Sequence, residues 1–344
     1  MQQKNPLVSI CVVSYNHAKF IPFCIHSLWN QIYKNIEILV LDDGSSDNSV
    51  QVLNSLKQTS PCPMTIVAQP NSGNIGKNFN TLLKAANGKY ISIISADDAL
   101  LPEAISKKVQ IMEENSQVQF VINSQIQRID EHNNYFDSVF KMTLDKIKVP
   151  SAQDTLFLDF HEIHSYYLQG SLFTKSILME IGGYDEQMTA DDIVLRTKLA
   201  RFLLQHSTFT FVTLHEVSCL YRTHLSNTSA NLSRQLISVA TYLDKYWPHK
   251  IPSPNFRDLV LNTFANTPNR HLLYTQVQGL QAVQYILRDL PTQDFLADTG
   301  VCYKKKSLLG GLLQIHTYKH LGAQYKACMF CGHKLFTFAH KRYH

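Results

Sequence analysis

The sequence predicts an α/β fold: a mostly parallel central sheet flanked by helices, continued by a helical, basic C-terminal extension. Three observations carry this. Short apolar, β-rich runs alternate with helical patterns from Leu7 to Ile122. Each run ends in a polar, acidic or glycine-containing turn. From about Leu236 the pattern becomes helical, with no second strand-rich unit and no repeat.

With 344 residues, 44% hydrophobic and 17% charged, the chain can bury a substantial core and is not disordered overall. It divides into a large domain, residues 1–235, and an appendage, residues 236–344. Seven cysteines, an odd number, are scattered at Cys11, Cys24, Cys62, Cys219, Cys302, Cys328 and Cys331, as expected for a reducing cytosol. The start runs straight into a strand without a leader-like segment, and no stretch approaches the roughly 18 apolar residues needed to span a bilayer. A cytoplasmic location is expected. Net charge is +5, but residues 299–344 carry eight basic residues and no acid, so +8 there leaves −3 elsewhere. Such a tail suits peripheral contact with an anionic membrane or a pyrophosphate-bearing lipid at the inner face; a solvated basic face is the plainer alternative, and no nucleic-acid partner is expected.

The elements follow in order. Leu7–Val13 is a β-rich run broken by Ser14-Tyr15-Asn16-His17, and a helical pattern follows through Ile21, Ile25 and Leu28. Ile36–Leu41 repeats the theme and ends in Asp42-Asp43-Gly44, a turn cluster able to cap the helix through Val50, Leu53 and Leu56. Met64–Ala68 is a third strand, followed by a glycine-containing loop and an amphipathic helix through Phe79, Leu82 and Leu83. Tyr90–Ile94 is the fourth strand, ending near Asp97 and Asp98. After Pro102 come a helix through Ile105, Val109 and Met112 and a strand at Val118–Ile122. Residues 131–150 read as a polar insertion. A strand from Tyr167 to Phe173 leads to a helix stopping at Gly182-Gly183; a further helix opens at Asp191-Asp192; Phe209–Leu214 is a strand and Leu220–Ser229 a polar loop.

In parallel sheets ligands bind beyond the carboxyl ends of the strands. Here those ends gather Ser14-Tyr15-Asn16, Asp42-Asp43-Gly44, Asn71-Ser72-Gly73 and Asp97-Asp98 on one rim. An isolated Asp97-Asp98 pair would read as a solvated turn. Set among the other strand ends, it reads as a site where a divalent cation is shared with a ligand, because adjacent ionised carboxylates repel unless a cation lies between them. Oxygen ligation suits Mg²⁺ or Mn²⁺.

Taken together, Val8–Asn16, Asn30–Ile38, Asp42–Ser49, Ala86–Ile91, Ser95–Asp98, Gly182–Asp185, Asp191-Asp192 and Tyr221–His224 resemble the family 2 glycosyltransferases, over residues 6 to 235. The resemblance implies the GT-A (Rossmann-like) fold and transfer of a sugar from a UDP-sugar to a hydroxyl with inversion, with Mn²⁺ or Mg²⁺ as cofactor. It implies that Ser14 and Tyr15 line the nucleotide base, the Tyr15 ring stacking on it, and that Asp43 accepts from the uracil imide. Lys77 and Asn80 fall where the family offers polar contacts to the donor. Asp97 matches the metal-binding position of the family's Asp-x-Asp motif, and Ser95 stands at its first position, where it can still bind a ribose hydroxyl. Asp98 orients the metal shell or reaches toward the acceptor. Asp192 matches the catalytic base, with Asp191 replacing the usual Glu, and removes the acceptor proton in a single displacement. His224 matches a histidine that ligates the metal or binds the diphosphate. The acceptor implied is a glycan or polyprenyl-linked sugar of a bacterial surface polysaccharide (capsule, O-antigen or lipooligosaccharide).

Two other classes compete. A non-catalytic nucleotide-sugar binding subunit of a glycan assembly complex would not need the base and metal positions. A nucleotidyltransferase would show a basic Gly-rich loop after the first strand, which Ser14-Tyr15-Asn16-His17 is not. Cys328-Met-Phe-Cys331-Gly-His333 has zinc-ligand spacing but lacks a second Cys pair. His161 and His164 lack the i, i+4 spacing of a helical zinc site and read as part of an acceptor-side loop.

Overall fold

The computed structural model describes residues 5–162, 165–189, 191–224, 231–267 and 270–288, and the backbone of four further strands between 304 and 342. Two compact units emerge, Met1–Ala230 and Asn231–His344. The first contains β1 (Val8–Ser14), α1 (Ile21–Trp29), β2 (Ile36–Asp42), α2 (Ser49–Gln58), β3 (Met64–Ala68), α3 (Ile75–Ala85), β4 (Tyr90–Ser95), β5 (Ala99–Leu100), α4 (Ala104–Glu114), β6 (Val118–Ile129), β7 (Tyr135–Lys141), α5 (Ala152–His161), β8 (Tyr167–Thr174), α6 (Lys175–Glu180), α7 (Asp191–Gln205) and β9 (Thr210–Arg222). The second contains α8 (Leu232–Tyr246), α9 (Pro254–Asn266), α10 (Arg270–Val277), α11 (Gln281–Leu287), β10 (Lys304–Leu308), β11 (Leu313–His320), β12 (Ala323–Phe330) and β13 (His333–Arg342).

All strands of the first unit join one sheet, in the order β3-β2-β1-β4-β8-β6-β9-β5, with β7 paired to β6. β3, β2, β1 and β4 are mutually parallel. Their apolar runs are continuous because helices cover both faces: all seven residues of β1 are buried, as are the first five of β4. The chain lays β2 and β3 to one side of β1 and then crosses to lay β4 on the other. The order of strands therefore reverses between β1 and β4, and their carboxyl ends open the crevice where ligands of such sheets bind. Beyond β4 the sheet is mixed: β8 runs antiparallel to β4 and β6, while β9 lies parallel to β6.

Three readings of the sequence need correction. Residues 131–150 contain β7, an antiparallel partner of β6 whose seven residues are all exposed; with both faces exposed, its Tyr-Phe-Asp-Ser-Val-Phe-Lys sequence lacks the strict alternation of a half-buried strand. Leu220, Tyr221 and Arg222 are not loop but the end of β9, drawn on by pairing with β5 and β6. Among the described residues, the extension is helical to Leu287, and β10 to β13 form an antiparallel sheet. Alternation such as Leu313-Gln-Ile-His-Thr-Tyr has the period of two that a strand requires, and the helical reading passed over it. Among the described residues, no helix is long and apolar enough to cross a membrane.

Candidate active site

The rim is built on interlocking loops. Asn16, at the end of the turn after β1, adopts φ 55°, a left-handed conformation that Asn tolerates better than most residues. There its N–H donates to Ser45 Oγ at 2.7 Å and its Oδ1 accepts from the Ser46 N–H at 2.8 Å. The next two backbone N–H groups, of His17 and Ala18, donate to Ser49 Oγ and Asp47 Oδ2, both at 3.0 Å. Asp42 is fully buried and accepts from Ser14 Oγ, Ser45 N and Ser45 Oγ. The Ser14 side chain is thus spent on bracing β2, while the Tyr15 ring stands 46% exposed and open to stacking.

Asp43 lies one residue beyond β2 and is buried. It accepts from Gln69 Nε2 and Ser72 N, each at 2.8 Å, and from Ser72 Oγ at 3.1 Å. Burial works against its charge, but the bonds from Gln69, Ser72 and Asn78 outweigh it and hold the carboxyl below the ordinary range. It is an ionised acceptor. Gly44 makes this possible: with φ 74°, a Cβ there would meet the Asn71 backbone N at 2.4 Å, so only glycine lets the Gln69–Ser72 loop close on Asp43.

At the switch point, three side chains from three elements converge. Asp97 follows β4, His17 follows β1 and His224 follows β9. His224 Nε2 lies 3.1 Å and His17 Nε2 3.8 Å from Asp97 Oδ2. One potential ligand atom from each residue lies within 4.8 Å of the others. Burial opposes the charge of Asp97, yet the bond to His224, the neighbouring His17 and the Ser95 hydroxyl hold its carboxyl below the ordinary range. Burial lowers the His17 pKa, with His224 adding to the effect and Asp97 opposing it, so the ring favours the neutral form that ligates metals. Asp97 Oδ1 and His17 Nδ1 are buried with no hydrogen-bond partner among the described residues. Orphaned polar atoms beside an ionised carboxylate and a neutral imidazole fit a bound cation. Nothing in the motifs singled out His17. Its only sequence signal is its place three residues past Ser14, at the end of the strand that borders the switch point.

Arg222 also escaped the sequence reading. It is fully buried, and its guanidinium donates to Asp97 O at 2.7 Å, Asp130 O at 2.6 Å and Asn133 Oδ1 at 2.8 Å, lying over the Phe20 and Phe23 rings. This residue fixes the turn that presents Asp97. Asp98, expected to orient the metal shell or reach the acceptor, is buried and accepts the Arg222 N–H at 2.8 Å. Burial and the charge of Asp97 push its carboxyl well above the ordinary range. The two acids sit in the turn that the Asp98 N–H closes on Ser95 O at 3.1 Å, and different partners take them: two histidines face Asp97, and the Arg222 N–H holds Asp98.

Asn80, expected among the donor contacts, has its amide engaged within the fold. Its Nδ2 donates to Tyr184 O and Glu186 Oε1, each at 2.9 Å, and its Oδ1 accepts the Tyr184 N–H at 2.8 Å, leaving its amide committed to the turn after Gly183. Lys77 is exposed in the first turn of α3, where its N–H is capped by Asn74 Oδ1 at 2.8 Å. Asp192 lies in the first turn of α7, half-buried, with its Oδ2 accepting the Leu168 N–H of β8 at 3.4 Å. Burial raises its pKa, and the Arg196 charge and the Leu168 N–H offset this only in part. Arg196, one turn on, pairs with the buried Asp159 of α5 at 2.9 Å and anchors the helix start. His164 and the side chains of Asp191, Cys328, Cys331 and His333 lie outside the described residues.

Comparison with known proteins agrees with this architecture. The chain is 38% identical over 100 residues to the chondroitin synthase of Pasteurella multocida, a stretch covering 29% of this chain and 10% of that protein. It spans less than two thirds of the other curated relatives as well, 33% and 62% of two uncharacterized glycosyltransferases from Nostoc and Methanocaldococcus jannaschii. Among solved structures, the mannosyltransferase PcManGT from Pyrobaculum calidifontis, in complex with GDP-Man and Mn²⁺, superposes with a TM-score of 0.52 at 18% identity, over 86% of this chain and 79% of that one. S. aureus TarS 1–349 in complex with UDP-GlcNAc gives 0.52 at 12% identity, over 91% and 97%. Such likeness supports the fold. The model of glycosyl transferase family 2 matches residues 9–182, half of the sequence and every strand end of the parallel rim, and this chain belongs to that family.

Proposed function

We propose that the chain is a metal-dependent, inverting glycosyltransferase that moves a hexosyl or N-acetylhexosaminyl group from a UDP-sugar to a hydroxyl of a glycan or lipid-linked acceptor in bacterial surface polysaccharide synthesis. The observation that carries this is the convergence of His17, Asp97 and His224 at the switch point, beside an ionised Asp43 and an exposed Tyr15. Two imidazoles and one carboxylate are a more nitrogen-rich set than two adjacent acids. They favour Mn²⁺ over Mg²⁺, which prefers oxygen ligands and its own water. When bound, the ion acts as a Lewis acid on the leaving diphosphate.

The protein's own groups do the rest. Asp43, held ionised, accepts the uracil imide N–H, and Tyr15 offers its face to the base. Asp192 takes the proton of the attacking hydroxyl; its raised pKa brings it closer to neutral pH, where proton transfer is most effective. Arg222 keeps Asp97 in place by holding its carbonyl. The GDP-Man and UDP-GlcNAc complexes of the two structural neighbours support a nucleotide-sugar donor, and Asp43 favours uracil among bases. The excess of basic residues after 299 supports peripheral attachment of a cytoplasmic protein to an anionic inner membrane face.

Incubation with a panel of UDP- and GDP-sugars and Mn²⁺ tests the reading through the product released. Free UDP from one UDP-sugar is the expected result. Pyrophosphate release, or no turnover of any nucleotide sugar with any divalent ion, rejects it.

A further inference from the structure

Arg128, on β6, is a half-buried cation without an acid. No carboxylate pairs with it among the described residues, and its Nε is buried with no hydrogen-bond partner. Its guanidinium instead lies 5.4 Å from the ring centroids of both Phe136 and Phe140 on β7, rings that are 42% and 38% exposed. An arginine held between phenyl rings keeps its charge and offers its planar donors outward. In the pairing of β6 with β9, Arg128 is the register partner of Tyr221. Tyr221 stacks on Tyr167 at 5.4 Å between centroids and 19° between planes, and the residue after Tyr167 is Leu168, whose N–H binds Asp192. Rings and one guanidinium thus lie on neighbouring strands from the exposed hairpin toward the residue whose backbone binds the proposed base. The hairpin is itself tied to the proposed metal site, since Arg222 grips its turn at Asp130 and Asn133 and also holds the Asp97 carbonyl.

Aromatic faces are the surfaces on which sugar rings pack, and an arginine fork is matched to a carboxylate or phosphate. We infer that this surface is the acceptor subsite and that it takes an acidic saccharide, whose carboxylate or phosphate pairs with Arg128 while its rings lie against Phe136, Phe140 and Tyr221. The inference rests on the transferase reading for the direction of the reaction, but saccharide binding is measured without any donor, so the two fail separately. Charge complementarity selects this occupant over a second copy of the chain: a dimer through β7 would need no unpaired cation at its centre.

Binding is followed by calorimetry with three oligosaccharides alike except at the end residue, which is glucuronate, glucose or glucose 6-phosphate, for the wild type, Arg128→Gln and Arg128→Lys. UDP binding in the presence of Mn²⁺ serves as the check on the donor side. Wild type should bind at least one acidic probe about tenfold more tightly than the neutral one, a margin expected of one charge-assisted pair. Arg128→Gln should lose that preference, Arg128→Lys should keep part of it, and UDP binding should stay unchanged in both. Preference for glucuronate identifies a uronate-type acceptor, and preference for the phosphate a phosphosugar. Equal affinity for all three probes, binding of none, a preference that survives in Arg128→Gln, or a Phe136→Ser variant that changes only a monomer–dimer equilibrium would overturn the inference.

Discussion

The rim where β1, β2 and β4 end and the hairpin side formed by β6, β7 and α7 are held together in different ways. On the rim, loops from three successive strand–helix units brace one another: Asn16 on Ser45 and Ser46, Ala18 on Asp47, Asp43 on Gln69 and Ser72. Asp97 is positioned by a buried arginine and faced by two histidines. On the hairpin side, β7 is exposed along its whole length, and the carboxylate of Asp192 has one long bond, 3.4 Å, to Leu168. The difference follows from topology. Parallel strands must be buried on both faces, so their ends are fixed by the core beneath them, whereas an antiparallel hairpin can be added at a sheet edge with one or both faces in water. We read the braced rim as the part that serves any nucleotide-sugar chemistry and the hairpin side as the part that selects what receives the sugar.

The largest effect should come from breaking the hairpin side alone. Asp192→Asn keeps the shape and removes the base, so transfer should fall about 10³-fold while affinity for UDP with Mn²⁺ stays within about twofold. In the wild type, the acid limb of the pH–rate profile should lie above the usual carboxylate value near 4, because the Asp192 pKa is raised. Single-turnover transfer across pH checks both. Next, Arg222→Met removes the buried cation that holds the Asp97 carbonyl and the hairpin turn, and should cost about 3 kcal/mol of unfolding free energy by urea titration. That variant would couple the two sides: if it disturbed only one of them, the shared anchor assigned to Arg222 would be wrong. His17→Ala should weaken Mn²⁺ binding about tenfold and leave saccharide binding alone.

The smallest expected change probes the sheet beneath both sides. Lys108 is fully buried on α4, donating to Ser218 Oγ at 2.7 Å, and burial lowers its pKa to about 7. Between pH 7 and about 10.5 the unfolded chain then binds up to one more proton than the folded one, so stability rises with pH by about 1.4 kcal/mol per unit at most. Lys108→Met should be more stable than wild type at pH 6, and its advantage should shrink as pH rises through that window. Thermal or urea unfolding at pH 6 and pH 9 measures the difference. Equal stability differences at both pH values would contradict the charge assignment.

Much of the rim was legible because parallel strands write their burial directly into the sequence. Short, mostly apolar runs such as Ile36–Leu41 and Tyr90–Ile94, bounded by turn signals, read as central strands, and the polar turns after them mark the ligand end. What stayed hidden depended on side-chain direction or distant pairing. Adjacent acids gave no sign that Asp97 meets two histidines while Asp98 is held by the Arg222 N–H. His17 is one histidine in a loop until the strand order reverses beside it. Asn80 and Arg222 lie in recognisable segments, but their roles are set by partners about a hundred residues away, Tyr184 for one and Asp97 and Asp130 for the other. Arg128 becomes informative only through the absence of a paired acid among the described residues, which no local pattern can express.

The central claim is that Asp97 joins His17 and His224 in holding the ion that receives the nucleotide diphosphate. Calorimetric titration of UDP into wild type and Asp97→Ala, with and without Mn²⁺, tests it most directly. Mn²⁺ should tighten UDP binding to the wild type at least tenfold and have no effect on Asp97→Ala, whose metal-free UDP affinity should match that of the wild type. Mn²⁺-independent binding by the wild type, or an undiminished Mn²⁺ effect in Asp97→Ala, would contradict the claim.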